Sequence, residues 1–181
     1  MNSSSAKLLV CVGDKVVCIK IDGRANFTSS VDFQTLVHSL RERGYARFVV
    51  ELSDCSLMDS TFLGVLAGIG LNLAKAQNAN HDAGMVLLNP KPRITELLEN
   101  LGIIHLFKIE HCAEPAKESF DPLQTGEKSR LAISRTCLEA HQTLMAVNPE
   151  NIPKFKDVTK FLAEDLKRME MAQADKPTSG G

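Results

Sequence analysis

The sequence predicts an α/β fold: a mixed, mostly parallel sheet begun by an antiparallel hairpin, with packed helices and a C-terminal helical extension. Three observations predict it. β-Rich runs alternate with helical periodicity through about residues 6–111, an order that favours right-handed crossovers between parallel strands. The first two runs, in KLLVCVGDKVVCIKI (Lys7 to Ile21), flank Gly13-Asp14, a two-residue hairpin signal. After Glu110 the composition turns polar and then helical.

Each element has its own local reason. Asp22 to Asn26 (DGRAN) reads as a loop, after which Ser29 and Ser30 are candidate caps. The helix they start carries Phe33, Leu36, Val37 and Leu40 at i, i+3, i+4 and i+7, and Gly44 stands where a helix C-terminal glycine belongs. Phe48 to Leu52 (FVVEL) lacks clean alternation, which predicts a central strand covered on both faces. The next helix runs to about Asn78, with Phe62, Leu66, Ile69 and Leu73 as its buried stripe. Its Gly64, Gly68 and Gly70 each weaken it, and are expected to let it lie close to its own sheet. GMVLLN (84–89) is a strand, ITELLENLG after Pro90 and Pro92 a short helix, and HLFKIE (105–110) the last strand. Residues 112–129 read as a linker and 130–170 as a two-helix extension. Of that extension, Phe155, Val158, Leu162, Leu166 and Met169 share one side of the second helix. Residues 171–181 are expected to be disordered. Two helices alone bury too little surface, so they are expected to dock on the domain, on a second copy or on a partner, and to limit access to the binding face.

Composition narrows the function. The chain has 181 residues, 44% hydrophobic and 24% charged, with a formal net charge of −1. No strong field selects nucleic acid or an acidic membrane, and the absence of Trp with only 5% aromatics weakens base stacking. The five cysteines (Cys11, Cys18, Cys55, Cys112, Cys137) form no Cys-x-x-Cys pair and read as small buried hydrophobes in a reducing compartment. The start MNSSSAKLLV lacks a signal peptide's apolar stretch, and the apolar run from Thr61 to Leu71 is too short to span a bilayer. The expectation is a cytoplasmic protein with no membrane insertion and no direct nucleic-acid contact.

The most informative stretch is SDCSLMDSTFLGVL (53–66), which sets Asp59, Ser60 and Thr61 between an apolar strand and an apolar helix. On spacing alone Ser60 is an N-cap, with Asp59 favouring the same helix end. FVVELSDCSLMDSTFLGVLAGIG nevertheless resembles the signature of the STAS domain, best known from bacterial anti-sigma-factor antagonists: an apolar strand, Asp-x-Ser-x-x-Asp-Ser, and a Gly-containing apolar helix. Asp54, Ser56, Asp59, Ser60, Leu63 and Gly64 stand at matching positions. The resemblance covers about residues 6–111.

The resemblance implies a STAS-like fold and a switch. The unphosphorylated protein would capture an anti-sigma factor that is also an ATP-dependent serine kinase. Phosphorylation at Ser60, with Thr61 as the second acceptor, would release it, and a metal-dependent serine phosphatase would restore the active form. The implied partner surface comprises Asp54, Ser56, Met58, Asp59, Ser60, Thr61, Leu63 and Gly64, joined by Arg24 and Asn26. Ser60 is expected to be exposed at a helix N-terminus, where a phosphate faces free N–H groups and adds about −1.5 to −2 charges. Many members carry an acidic pair in the loop where this chain has Arg24 and Asn26, which puts kinase contacts there in doubt. Arg24 is either a solvated loop residue or a holder of phosphate on Ser60. No cofactor, catalytic group or metal is expected. Ser60 lies on no Gly-x-Ser-x-Gly elbow, and the sequence places no His near it. His111, Cys112, Cys137 and His141 offer zinc-ligand chemistry, but the preferred reading is a buried Cys and surface His on amphipathic helices. The competing use of the same fold is an unphosphorylated subunit of a transporter or sensory scaffold. A homo-oligomer is compatible with either use.

Overall fold

A computed structural model of the chain describes residues 4–113 and 119–175. Strand β1 (Lys7–Val12) pairs antiparallel with β2 (Val16–Ala25), setting Cys11 opposite Cys18. The Gly13 N–H donates to the Val16 carbonyl at 2.9 Å, so the hairpin closes on Asp14 and Lys15, one residue later than expected. Helix α1 (Phe27–Glu42) follows, then β3 (Arg47–Glu51), β4 (Cys55–Met58), α2 (Ser60–Ala76), β5 (Gly84–Leu88), α3 (Pro92–Asn100) and β6 (Lys108–Glu110). A two-residue strand β7 (Asp121–Pro122) precedes α4 (Arg130–Val147) and α5 (Ile152–Ala174). The sheet order is β6-β5-β3-β2-β1-β7. β2, β3, β5 and β6 are parallel, and β4 pairs in parallel with the far end of β2.

The core lies between the sheet and the two long helices. Val17, Ile19 and Ile21 of β2, Phe48 and Val50 of β3, and Leu87 of β5 are fully buried with Phe33 and Val37 of α1 and Phe62 and Leu66 of α2. Each such side chain contributes about 1.5–3 kcal/mol of transfer free energy. Phe33 and Phe62 meet with centroids 5.1 Å apart. β3 is fully buried on the face of Phe48 and Val50 and covered in part on the other, where Val49 is half-buried and Glu51 buried.

Several local expectations are corrected. Residues 22–25 are strand, with a bulge between Gly23 and Arg24, because β4 supplies a partner that local sequence cannot show. Asn26, and neither Ser29 nor Ser30, caps α1: its side chain accepts from the N–H groups of Thr28 and Ser29, and Ser29 Oγ completes a capping box. The stretch 105–110 begins as a 3-10 turn (Ile104–Leu106) and is strand only from Lys108. The linker contributes β7 at the edge of β1, and Lys128 pairs with Asp32 at 2.6 Å. α5 continues to Ala174, past the expected start of the tail, while residues 176–181 lie outside the described residues. Val158 is exposed, whereas Leu166 is buried.

The α4–α5 hairpin docks on the domain. Ala140 and Leu144 of α4 join the main core. The turn between the helices is held by fully buried Asn151, whose Nδ2 donates to the carbonyls of Leu101 and Leu144, both at 2.9 Å. A buried amide satisfied on both sides fixes geometry, because leaving it unpaired costs about 1–3 kcal/mol.

Candidate functional site: the start of helix α2

Asp59 organises the joint. Its N–H donates to the Ala25 carbonyl at 3.0 Å, anchoring it to the end of β2. Oδ1 accepts from the Phe62 N–H at 2.8 Å and Oδ2 from the Phe27 N–H at 2.7 Å. One carboxylate therefore satisfies donors at two helix starts, where both dipoles favour negative charge. Asp59 is the N-cap and Ser60 the first helical residue, which corrects the assignment of the cap to Ser60.

Ser60 is half-buried rather than exposed, because α4 lies over it. Its Oγ is 2.9 Å from His141 Nε2, and His141 Nδ1 is 2.6 Å from the Cys137 carbonyl oxygen. A carbonyl only accepts, so Nδ1 carries the proton. In the neutral ring Nε2 is then the acceptor, and the Ser60 hydroxyl donates. Beside this pair, the hydroxyl of buried Thr61 donates to Cys137 Sγ at 3.6 Å. Burial pushes the Cys137 thiol above its ordinary pKa, which disfavours a reactive thiolate.

The glycines of α2 face α4 and the 3-10 turn, not the sheet. A Cβ on Gly64 would lie 2.4 Å from the Ala140 carbonyl oxygen, and one on Gly70 would lie 2.8 Å from the Phe107 ring. Both positions require a residue without a side chain. At Gly68 the same atom would make ordinary contact with Thr143. A groove of about 480 Å³ remains along this seam, lined in part by Gln34, His38, Gly68 and Thr143.

The remaining predicted site residues divide. Asn26, Asp59, Ser60 and Thr61 cluster at the two helix starts, with Gly64 one turn along. Arg24 is exposed on β2, opposite Leu57. Asp54 and Ser56 are exposed at the start of β4. Asp54 accepts a 2.6 Å ion pair from Lys20, and this hydrogen bond holds its carboxyl below the ordinary range and the Lys20 ammonium above its own. Met58 and Leu63 are buried in the core, so their side chains are not part of the surface offered to a partner. His141 was missed. It is buried, not on the surface, and the sequence carries no signal for a contact across 81 positions. Among the described residues no group of three or more His, Cys, Asp or Glu could hold a metal ion.

A strand ending on a carboxylate that caps a glycine-rich helix, within this sheet order, defines a class of mixed α/β domain. The sequence model of the STAS domain matches residues 9–114, and the chain belongs to that family. An anti-sigma factor antagonist from Mycobacterium paratuberculosis is similar over 61% of this chain and 88% of its own, at 17% identity and a TM-score of 0.51. A Thermotoga maritima protein assigned as an anti-sigma factor antagonist is similar over 57% of this chain and 86% of its own, at 21% identity and a TM-score of 0.51. At these identities the likeness is one of fold. No curated protein matches the chain. The family match ends at residue 114, before α4 and α5.

Proposed function

We propose that the chain is a non-enzymatic binding module of the anti-sigma-factor-antagonist kind, switched at Ser60. The partner is an anti-sigma factor with serine-kinase activity, captured while Ser60 is unphosphorylated, and a metal-dependent phosphatase resets the switch. The observation that carries this reading is Ser60 at the first position of α2, directly after the carboxylate that caps it. A phosphate there adds about −1.5 to −2 charges beside Asp59. That charge falls at the seam with α4 rather than in the sheet, because Ser60 is half-buried at the start of α2 and its hydroxyl is directed to His141 of α4. Bacterial origin, a cytoplasmic location and a role in transcription regulation belong to this same reading. Among the described residues no helix is long and apolar enough to cross a membrane.

The Ser60–His141 pair also has the form of a nucleophile and its base. The hydroxyl faces a packed helix, and Nδ1 is held by a carbonyl rather than a carboxylate, so binding is favoured over hydrolysis. The test is phosphopeptide mapping after incubation with the partner kinase and Mg-ATP, with binding of Ser60→Ala and Ser60→Asp compared. Modification should fall on Ser60. Ser60→Ala should keep affinity and Ser60→Asp should lose at least about tenfold, or about 1.4 kcal/mol. Modification found only outside residues 59–61, or a Ser60→Asp protein that binds as tightly as wild type, refutes the switch.

A further inference from the structure

We infer that α4 is an internal competitor for the partner-binding face, and that it opens as a unit, away from a sheet that stays folded. The functional consequence rests on the binding role proposed above; the opening does not. Three observations carry it. First, α4 covers the residues that the family signature places at the switch: His141 holds the Ser60 hydroxyl, Cys137 holds Thr61, and the Ala140 carbonyl presses on Gly64. Second, apart from Leu144, which with Ala140 joins the main core, those contacts are polar or made by small residues, and the seam keeps a groove of about 480 Å³. A contact of this kind gives less per unit area than the Phe and Leu packing of α2 on the sheet. Third, α4 lies after the region that matches the family, so β1 to β6 with α1, α2 and α3 form the set of family elements without it.

A face occupied in cis binds an outside partner only in the open fraction, so apparent affinity falls by that fraction. An opening populated at 1% weakens binding about 100-fold. The tethers at the two ends, Lys128 with Asp32 and Asn151 with the Leu101 carbonyl, would keep the released helix close and make reclosure fast.

The measurement is amide hydrogen exchange on the full chain, which needs no partner. The α4 amides should exchange at least about tenfold faster than those of β2 and β3, as expected of a unit that opens below the global free energy. Ala140→Lys, which forces a long charged chain into the α4–α2 seam, should widen that gap. Thr61→Cys places a sulfur where a hydroxyl now lies 3.6 Å from Cys137 Sγ. Oxidised with excess oxidised glutathione and verified by non-reducing peptide mapping, this variant should lose the gap, and reduction should restore it. If α4 exchanges only at the global rate of the sheet in wild type, or if the oxidised bond leaves its rate unchanged, the inference is overturned. Affinity of the same Thr61→Cys protein for the kinase-type anti-sigma factor then separates the two claims. Binding at least about tenfold weaker when oxidised supports competition, and equal binding in both redox states overturns it. Binding by neither the wild type nor the variant in either state counts against the proposed function, while hydrogen exchange decides the opening by itself.

Discussion

Helix α2 has two faces built in opposite ways. Toward the core it presents Phe62, Leu66, Ile69 and Leu73, all nearly inaccessible. Toward α4 it presents Ser60, Thr61, Gly64 and Gly68, which meet a histidine, a thiol and a backbone carbonyl. The first face is held by dispersion and transfer free energy, which tolerate few changes of volume. The second is held by close approach, by a few hydrogen bonds each with a net value of about 0.5–1.5 kcal/mol, and by the burial of Ala140 and Leu144. One helix thus carries a permanent contact and a separable one.

The largest expected effect is on the permanent face. Phe62→Ala removes a ring packed 5.1 Å from Phe33 and should cost about 3–5 kcal/mol in urea unfolding. A loss below about 1 kcal/mol would mean that the two faces are energetically alike. On the other face the two glycines should differ in sign. Gly64→Ala forces a methyl against the Ala140 carbonyl and should destabilise by about 1–3 kcal/mol, with faster exchange in α4. Gly68→Ala meets only ordinary contact with Thr143 and should stabilise by up to about 1 kcal/mol through helix propensity. Matching signs would show that α4 recedes without cost.

Asp59→Ala strips donors at two helix starts and should lower stability by about 1–2 kcal/mol. His141→Ala leaves the half-buried Ser60 hydroxyl without its acceptor and removes the ring contact with Phe155. About 1 kcal/mol is expected, with exchange rising in α4 and unchanged in β3.

The smallest effect belongs to the Lys20–Asp54 pair. Its Asp54 carboxyl is lowered in the folded state, so its contribution is present above the ordinary carboxylate value of about 3.9 and fades as pH falls through the folded one. Lys20 is raised, so its share is present below about 10.4 and fades as pH rises through its folded value. Both side chains are partly solvated, so Asp54→Asn should cost under about 1 kcal/mol at pH 7, and less as pH falls through the folded carboxyl value.

Sequence alone determined the hairpin, α1, β3, α2, β5 and α3, the parallel sheet with its antiparallel start, the buried stripe of α2 and the special joint at Asp59-Ser60. Periodicity, turn residues and a local motif are properties of neighbouring positions, and they survive without knowledge of the fold. Tertiary structure alone decided what depends on distant partners. β4 and β7 are too short to show a pattern and exist because β2 and β1 offer open edges to them. Asn26 caps α1 in place of the serines because β2 continues to Ala25 and delivers it there. The glycines of α2 announced a close approach, but only the docked hairpin shows that Ala140 makes it. The acceptor of the Ser60 proton is an imidazole 81 positions away, brought there by helix packing that no local signal records.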